Sequence, residues 1–257
     1  MKLIEFRCTH VDSLKFTAGT EIRAGESFML FSEDPGMNDE SATERDEKRI
    51  VKWLFHQQPW AAQLILQELG MAQSSFVDRE VTEPFTQPNR KPGDIDVFIC
   101  EPDRPDQVVA IECKKVSVVA QNTQKDIVHK IEKVGKGVSQ TNALRELGFY
   151  QTYLAVITVI DGRGRAGHNV LFRGIGSSTH NTHRGAQTHQ TRTRIYEFPR
   201  REDLHKEVGI IFIEVVQPTG KSLDEKFGVC VCVNKRAVPQ EQSNSQTNRV
   251  LDYMKRY

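Results

Sequence analysis

The chain has 257 residues, of which 38% are hydrophobic and 27% charged, and its formal net charge is +1. This length allows one sizeable core, so one elaborated domain and two smaller ones are both open, and the near-neutral charge indicates no class of partner. Five cysteines without paired spacing, together with the lack of a secretory signal or a long apolar run, favour a cytoplasmic protein over a disulfide-bonded or membrane-spanning one.

The N-terminal part of the chain predicts a small β addition followed by helices. Residues 1–36 hold short alternating apolar runs that glycines interrupt, and they end in an Asp-Pro-Gly turn. Ser41 and Glu44 form a capping-box pattern, which predicts a helix from there to about Phe55. A second predicted helix, opened by Pro59, and a strand-like run come next.

The stretch from residue 91 to residue 116 predicts a buried β-hairpin. Its first half alternates with strand periodicity, a polar linker with two prolines follows, and a second apolar run completes the pair. A side-chain period of two puts Glu112 and Lys114 on one face of the second strand. If Asp96 faces the same way, two carboxylates and an ammonium meet. A strand interior tolerates such a set only when the groups are paired or bound to a metal.

A helix over about 123–147 and an apolar strand over 149–160 are predicted after the hairpin. Gly135 and Gly137 interrupt the helical pattern. Gln140 lies on the helix face that the pattern directs toward the sheet, where a polar side chain needs a partner.

The spacing of Asp96, Glu112 and Lys114 resembles the signature of the PD-(D/E)xK nuclease superfamily, which has the restriction-endonuclease-like fold. The local sequences GDIDV and AIECK are similar to those of resolvase-like members, although Ile95 stands where the family has a proline. The resemblance extends from about residue 41 to 161. It implies an α/β protein with an αβββαβ core, in which helices flank a mixed central sheet, here with β additions at both ends.

The resemblance also implies the roles of individual residues. Asp96, Glu112 and Lys114 would be catalytic, with Gln140 supporting them; Lys136 is the other candidate on that helix. Asp96, Glu112, the carbonyl of Cys113 and Glu47 would bind Mg²⁺ or Mn²⁺, and Lys114 would lie beside the attacking water. Simpler interpretations remain open: a surface ion cluster for the motif, a solvated charge for Glu47, and a glutamine bonded to backbone for Gln140.

Residues 162–201 differ in charge from the rest of the chain. They contain eight arginines and one acid, so the segment carries +7 and the remainder about −6. Much of the segment is rich in Gly, Ser, Thr, Asn and Gln, which predicts a basic mobile loop. We expect phosphate contacts from Arg163, Arg165, Arg184, Arg192 and Arg194. A solubilising loop and a docking surface for an acidic protein are the alternatives.

These patterns divide the chain into a β addition (1–36), a nuclease core (37–161), the basic loop (162–201), strands extending the sheet (202–235) and a polar tail (236–257). The expected function is Mg²⁺-dependent cleavage of DNA, as an endonuclease rather than an exonuclease, in defence, repair or recombination. No base-reading module is evident, so a helicase, a translocase or a second copy of the chain is the expected partner, and no membrane. The alternatives are a non-catalytic nucleic-acid-binding or assembly subunit and an RNA-cleaving enzyme.

Overall fold

A computed structural model describes residues 46–86, 91–121, 125–161, 187–217 and 228–257, together with the backbone of four short strands between residues 4 and 30. The strands are β1 (Ile4–Arg7), β2 (Ser13–Lys15), β3 (Glu21–Arg23), β4 (Ser27–Leu30), β5 (Phe76–Val81), β6 (Ile95–Cys100), β7 (Val109–Ala120), β8 (Asp126–His129), β9 (Gln151–Asp161), β10 (Gly209–Gln217) and β11 (Gly228–Lys235). The helices are α1 (Glu47–Lys52, continued by a π-helical stretch, Trp53–Gln57), α2 (Pro59–Leu69), α3 (Lys133–Arg145), α4 (His189–Arg201) and α5 (Asn244–Met254).

Nine of the described strands form one mixed sheet in the order β1-β4-β11-β10-β9-β7-β6-β5, with β8 paired to β7, while β2 and β3 pair separately. β7, β9 and β10 are parallel, and the other pairings are antiparallel. The predicted α/β class, with helices flanking a mixed sheet, is therefore confirmed. β9 and the central part of β10 are apolar nearly throughout and buried on both faces, as parallel strands between helical layers usually are.

The two faces of the sheet carry different helices. One core cluster joins α1, its π-helical extension and α2 to residues such as Ile111, Tyr153 and Ile213. On the other face, Val134 and Val138 of α3 and Ile195 of α4 pack on alternate residues of β7, β9 and β10, including Val116, Val156 and Phe212. A third cluster places Val250 and Tyr253 of α5 against Phe98, Phe149 and Leu144.

The segment after β7 differs from the single long helix that the sequence predicted. β7 continues to Ala120 and pairs with β8, so that Val118 lies opposite Val128, and α3 begins only at Lys133. The β-branched run at the end of β7 finds a matching strand across the turn, and this pairing outweighs the local preference for helix.

The basic segment also differs in its C-terminal part. Residues 187–201 include the helix α4, where the sequence predicted a loop as far as Thr193. The Thr188 side chain caps the helix by accepting from the Thr191 amide, and Ile195 is fully buried. The N-cap, the buried Ile195 and the partly buried Tyr196 and Phe198 order this part against the sheet. Residues 162–186 lie outside the described residues.

Two end segments complete the chain. α1 has Asp46 as its N-cap, whereas the predicted capping box at Ser41 and Glu44 lies outside the described residues. In the segment that the sequence predicted as a polar tail, Ser243 caps the helix α5. Among the described residues, no helix combines the length and the apolarity that crossing a bilayer requires.

Candidate active site

The pairing of β6 with β7 ends where the predicted motif begins. The ladder runs from Ile99 opposite Val109 to Val97 opposite Ile111. Continued by one residue, it would place Asp96 opposite Glu112. Instead, the next hydrogen bond between the two strands involves a side chain: Oδ2 of Asp96 accepts from the backbone amide of Cys113 at 2.7 Å. The strands therefore separate at the point where the acidic side chains lie.

The ammonium of Lys114 lies at the centre of these side chains. Its Nζ is 2.5 Å from Glu112 Oε1, 2.8 Å from the carbonyl oxygen of Cys113, 3.4 Å from Glu47 Oε1 and 4.0 Å from Asp96 Oδ2. The Lys114 side chain is only 9% exposed. We call Glu47, Asp96, Glu112 and Lys114 the acid cluster. With all four groups ionised it carries a net charge of −2.

Glu47 reaches the acid cluster from α1 on the opposite helical layer. It is the first residue of that helix, which Asp46 caps by accepting from the Arg49 amide at 2.7 Å. Glu47 Oε2 accepts from the backbone amide of Lys115 at 2.7 Å, so its carboxylate bridges two consecutive residues of β7. The structure thus brings together the three acids that the sequence predicted as metal ligands.

Burial and mutual repulsion shift the proton affinities in the acid cluster. Burial raises the pKa of Asp96 to about 6, and burial together with the nearby Asp96 raises the pKa of Glu112 to about 8. Burial alone would lower the pKa of Lys114, but the carboxylates of Glu112, Asp96 and Glu47 outweigh it and raise that pKa. Glu112 Oε2 is buried and has no hydrogen-bond partner among the described residues.

α3 covers the acid cluster at a close approach that only glycine allows. A Cβ atom on Gly137 would lie 2.4 Å from Cγ of Lys114 and 3.1 Å from Cδ1 of Leu154. The Lys114 stem is therefore confined beneath the helix. In the sequence this glycine interrupts a helical pattern and shares with Gln140 the face that is predicted to pack against the sheet; a glycine on that face was the available signal for close packing.

Gln140 occupies a neighbouring position instead of joining the acids. Its Nε2 donates to the carbonyl of Pro92 at 3.4 Å, in the turn that leads into β6. Gln140 therefore contacts the segment that carries Asp96. Lys136 is exposed. Asp94 lies two residues before Asp96 and could take the place of Asp96 in the motif, but its carboxylate is 3.5 Å from Lys48 Nζ and outside the acid cluster.

Lys115 is a residue of the site that sequence reasoning missed. It is almost completely buried although it is next to Lys114. Burial, reinforced by the nearby charges of Lys130 and Lys133 and opposed by the carboxylates of Asp46 and Glu47, lowers its pKa to about 8. Lys91 donates to Ser139 on α3 at 2.9 Å. Lys91, Lys130, Lys133 and Lys136 are all exposed, and we call them the lysine rim.

The structure corrects the expectation for Arg192. Its Nε donates to Glu214 Oε1 at 2.7 Å, and the two side chains are 13% and 10% exposed. Gln187 and the hydroxyl of Tyr196 donate to the same oxygen at 3.0 Å each. We call Gln187, Arg192, Tyr196 and Glu214 the arginine cluster. Because Arg192 serves as a buried counter-ion for Glu214, its guanidinium does not face solvent phosphates.

The other predicted phosphate contacts have separate outcomes. Arg194 is exposed on α4. Arg163, Arg165 and Arg184 lie outside the described residues. Within the described part of the chain, no three His, Cys, Asp or Glu side chains stand close enough together, as they are, to enclose a metal ion. In the acid cluster the ammonium of Lys114 lies between the three carboxylates.

Comparisons with known proteins add no assignment. The sequence matches no protein-family model, and neither the curated proteins nor the solved structures gave a match.

Proposed function

We propose that this protein is a metal-dependent nuclease of the PD-(D/E)xK type that hydrolyses phosphodiester bonds in DNA as an endonuclease. One observation carries the proposal: four oxygen atoms that could ligate a metal surround one buried cationic nitrogen. They belong to Glu47, Asp96, Glu112 and the Cys113 carbonyl. The succession α1, α2, β5, β6, β7, β8, α3, β9, in which the short strand β8 is an addition to the expected order, supports the finer assignment to the restriction-endonuclease-like core.

The donor set of the acid cluster fits a hard divalent cation. Carboxylate and carbonyl oxygens are the ligands that Mg²⁺ and Mn²⁺ prefer. The surplus of negative charge is unfavourable in a buried place without a further cation, and the unpartnered Oε2 of Glu112 is a spare ligand. Asp96, Glu112, the Cys113 carbonyl and Glu47 would hold the ion, which when bound lowers the pKa of a water and neutralises charge on the phosphate.

The remaining residues of the site suit a phosphodiester substrate. The Lys114 ammonium has three donors, and in the proposed reaction it orients the attacking water and stabilises the charge that builds on the phosphate oxygens. The lysine rim raises the local concentration of a polyanion. Arg194 is exposed on α4, a helix that packs on the same sheet face as α3, and Arg163, Arg165 and Arg184 stay predictions for backbone contacts.

The choice of substrate is a second element of the proposal. No helix-turn-helix or zinc-finger pattern accompanies the site, so we propose that target choice comes from DNA shape, from a second copy of the chain, or from a helicase or translocase partner. Defence against foreign DNA, repair and recombination are the processes that such an activity would serve.

A nicking assay on supercoiled plasmid tests the proposal. Cleavage should require Mg²⁺ or Mn²⁺, stop with a chelator, and disappear in Asp96→Ala and Glu112→Ala. Asp94→Asn is the matched control, since Asp94 pairs with exposed Lys48 outside the acid cluster. Parallel reactions with single-stranded DNA and with RNA of the same sequence define the substrate class. Full activity of purified Asp96→Ala or Glu112→Ala would remove the nuclease assignment from this site.

A further inference from the structure

We infer that the Lys114 ammonium is the internal counter-ion of the metal-free site, and that a divalent cation binds only by displacing it from the carboxylate oxygens. The inference rests on the proposed function, since it takes the acid cluster as the cation site. It adds that Lys114 and the cation compete for the same ligands. A role for Lys114 confined to the reacting phosphate would carry no such competition.

The first step is the position of the ammonium. Its nitrogen contacts Glu112 Oε1 at 2.5 Å and the Cys113 carbonyl at 2.8 Å. These atoms are the most enclosed of the proposed ligands, because the Glu112 side chain is 1% exposed. Each of these oxygens has a second lone pair, and Glu112 Oε2 has no partner among the described residues, but a cation bound at any of them would lie close to the ammonium. Two cations cannot share these oxygens at contact distance without strong repulsion.

The second step is the need for a counter-ion before any metal arrives. Three carboxylates converge in this part of the described structure, and an unpaired carboxylate in such a place is strongly unfavourable. Lys114 is the side chain that lies within 4.0 Å of all three. Its charge therefore holds the ligands together in the metal-free protein.

The third step is the route by which the ammonium leaves. The lower stem of Lys114 is fixed, because its Cγ packs directly beneath Gly137. Only the end of the side chain can swing. The exposed fraction of the carboxylate side chains rises from 1% at Glu112 through 17% at Asp96 to 29% at Glu47. The ammonium therefore moves outward, toward Glu47 and the solvent side, which is where an incoming phosphate would meet it.

The competition predicts opposite effects of Lys114→Met on stability and on cation affinity. In a chelator, the variant should unfold several degrees below wild type, since the carboxylates lose their counter-ion. Its affinity for Mg²⁺ or Ca²⁺ should rise, by at least about tenfold, since no ammonium has to be displaced. Saturating cation should then restore its unfolding temperature. A lysine that merely arranged the ligands would give a variant with weaker cation binding.

Isothermal titration with Mg²⁺ and Ca²⁺, combined with thermal unfolding in chelator, tests the inference. Lys133→Met is the matched control, because it removes the same charge from the exposed lysine rim without touching the acid cluster. Glu112→Gln/Lys114→Met is the second variant, and it removes a buried charge of each sign. It should regain part of the stability lost in Lys114→Met, without rescue by cation.

Each outcome decides the inference. Cation affinity of Lys114→Met equal to or below that of wild type overturns it, as does an unfolding temperature in chelator equal to that of Lys133→Met. If Lys114→Met is unfolded in chelator, folding on addition of Mg²⁺ supports the inference, and a double variant that also fails to fold overturns it. Tighter cation binding in Lys114→Met without plasmid cleavage by wild type would keep the inference and overturn the nuclease proposal. Plasmid cleavage by wild type, together with equal cation affinities of wild type and Lys114→Met, would overturn the inference and keep the nuclease proposal.

Discussion

Two buried polar groups lie on the same face of the sheet, and they are built on different principles. The acid cluster on β6, β7 and α1 has three carboxylates for one ammonium. The arginine cluster on β10 and α4 has one carboxylate for one guanidinium, and two neutral donors complete the shell of Glu214 Oε1. Glu214 is aligned with Thr158 and Val116, one same-face residue beyond the row of Lys114.

The contrast teaches that burial of charge does not by itself mark a functional site. The arginine cluster is electrically balanced, and Tyr196, stacked on Phe212 with ring centroids 3.8 Å apart, packs it against the sheet. It anchors α4. In the acid cluster a carboxylate oxygen lacks a partner and the acid pKa values are raised, so it retains unsatisfied binding capacity. Gln187 Oε1 of the arginine cluster is also buried without a partner among the described residues, so the surplus of negative charge is the feature that distinguishes the acid cluster and on which the nuclease proposal draws.

Asp96→Asn should have the largest effect on activity with the least effect on the fold. The asparagine oxygen can still accept from the Cys113 amide, but the negative charge is lost. We expect plasmid cleavage to fall by at least about 100-fold, and the metal-free protein to be at least as stable as wild type in urea. A variant that cleaves normally, or that fails to fold, would contradict the description of this cluster as over-charged.

Glu214→Gln should lower the stability of the fold and leave the activity nearly unchanged. It removes the carboxylate with which the largely buried Arg192 pairs at 2.7 Å, which should lower the free energy of unfolding by about 3 kcal/mol. Cleavage per folded molecule should stay near that of wild type. Urea unfolding of Glu214→Gln beside Asp96→Asn measures the difference directly. Equal changes of stability in the two variants would mean that the two clusters are energetically alike.

The metal-free protein should lose stability as the pH rises from about 4 to 8. The pKa of Asp96 is raised from 3.8 to about 6 and that of Glu112 from 4.5 to about 8. A carboxyl group with a raised folded pKa contributes stability that is complete below its unfolded pKa and is lost as the pH passes the folded pKa. The change at Asp96 alone is on the order of 3 kcal/mol.

Urea unfolding in chelator across this pH range measures the effect, and Asp96→Asn should flatten its lower half. Glu214→Gln should leave the slope unchanged. Stability that rises with pH over the same range would show that Lys114 fully neutralises the acids.

Gly137→Ala should disturb the acid cluster through packing. The new methyl group would lie 2.4 Å from Lys114 Cγ, so the helix or the lysine must shift, at a cost of about 1–3 kcal/mol. Gly135→Ala on the same helix is the control, because its methyl group meets only the end of the Glu202 side chain at 3.3 Å. It should be neutral or stabilising by up to about 1 kcal/mol. Thermal unfolding and cation titration of both variants distinguish local crowding from a general helix effect.

Arg194→Ala should give the smallest effect, and only on DNA binding. If exposed Arg194 contacts a phosphate, its loss should make the slope of log affinity against log salt shallower by roughly 0.9. Fluorescence anisotropy with a duplex at several salt concentrations measures this slope. Arg192→Ala, two residues away, should leave the slope unchanged and destabilise the fold, since Arg192 faces Glu214. An unchanged slope in Arg194→Ala would assign this surface to no nucleic-acid contact.

The sequence by itself determined the parts of the protein that depend on local pattern. Alternation along 91–116 identified β6, β7 and the common face of Glu112 and Lys114, because side chains in a strand repeat every two residues. Pro59 and Gly70 marked both ends of α2, since fixed φ suits a first helical turn and Gly70 adopts a φ of 79°. The apolar run of β9 was long enough to indicate a buried strand.

Only the tertiary structure decided which distant groups meet. Glu47 contacts the motif across 67 positions, and its helical stripe did not distinguish a ligand from a solvated charge. Arg192 and Arg194 are alike in the sequence, but the helical turn directs one toward Glu214 and leaves the other exposed. The end of β7 became paired strand because β8 was available, and Gly137 was required because Lys114 passes beneath it. These outcomes depend on packing between elements, which local propensity does not encode.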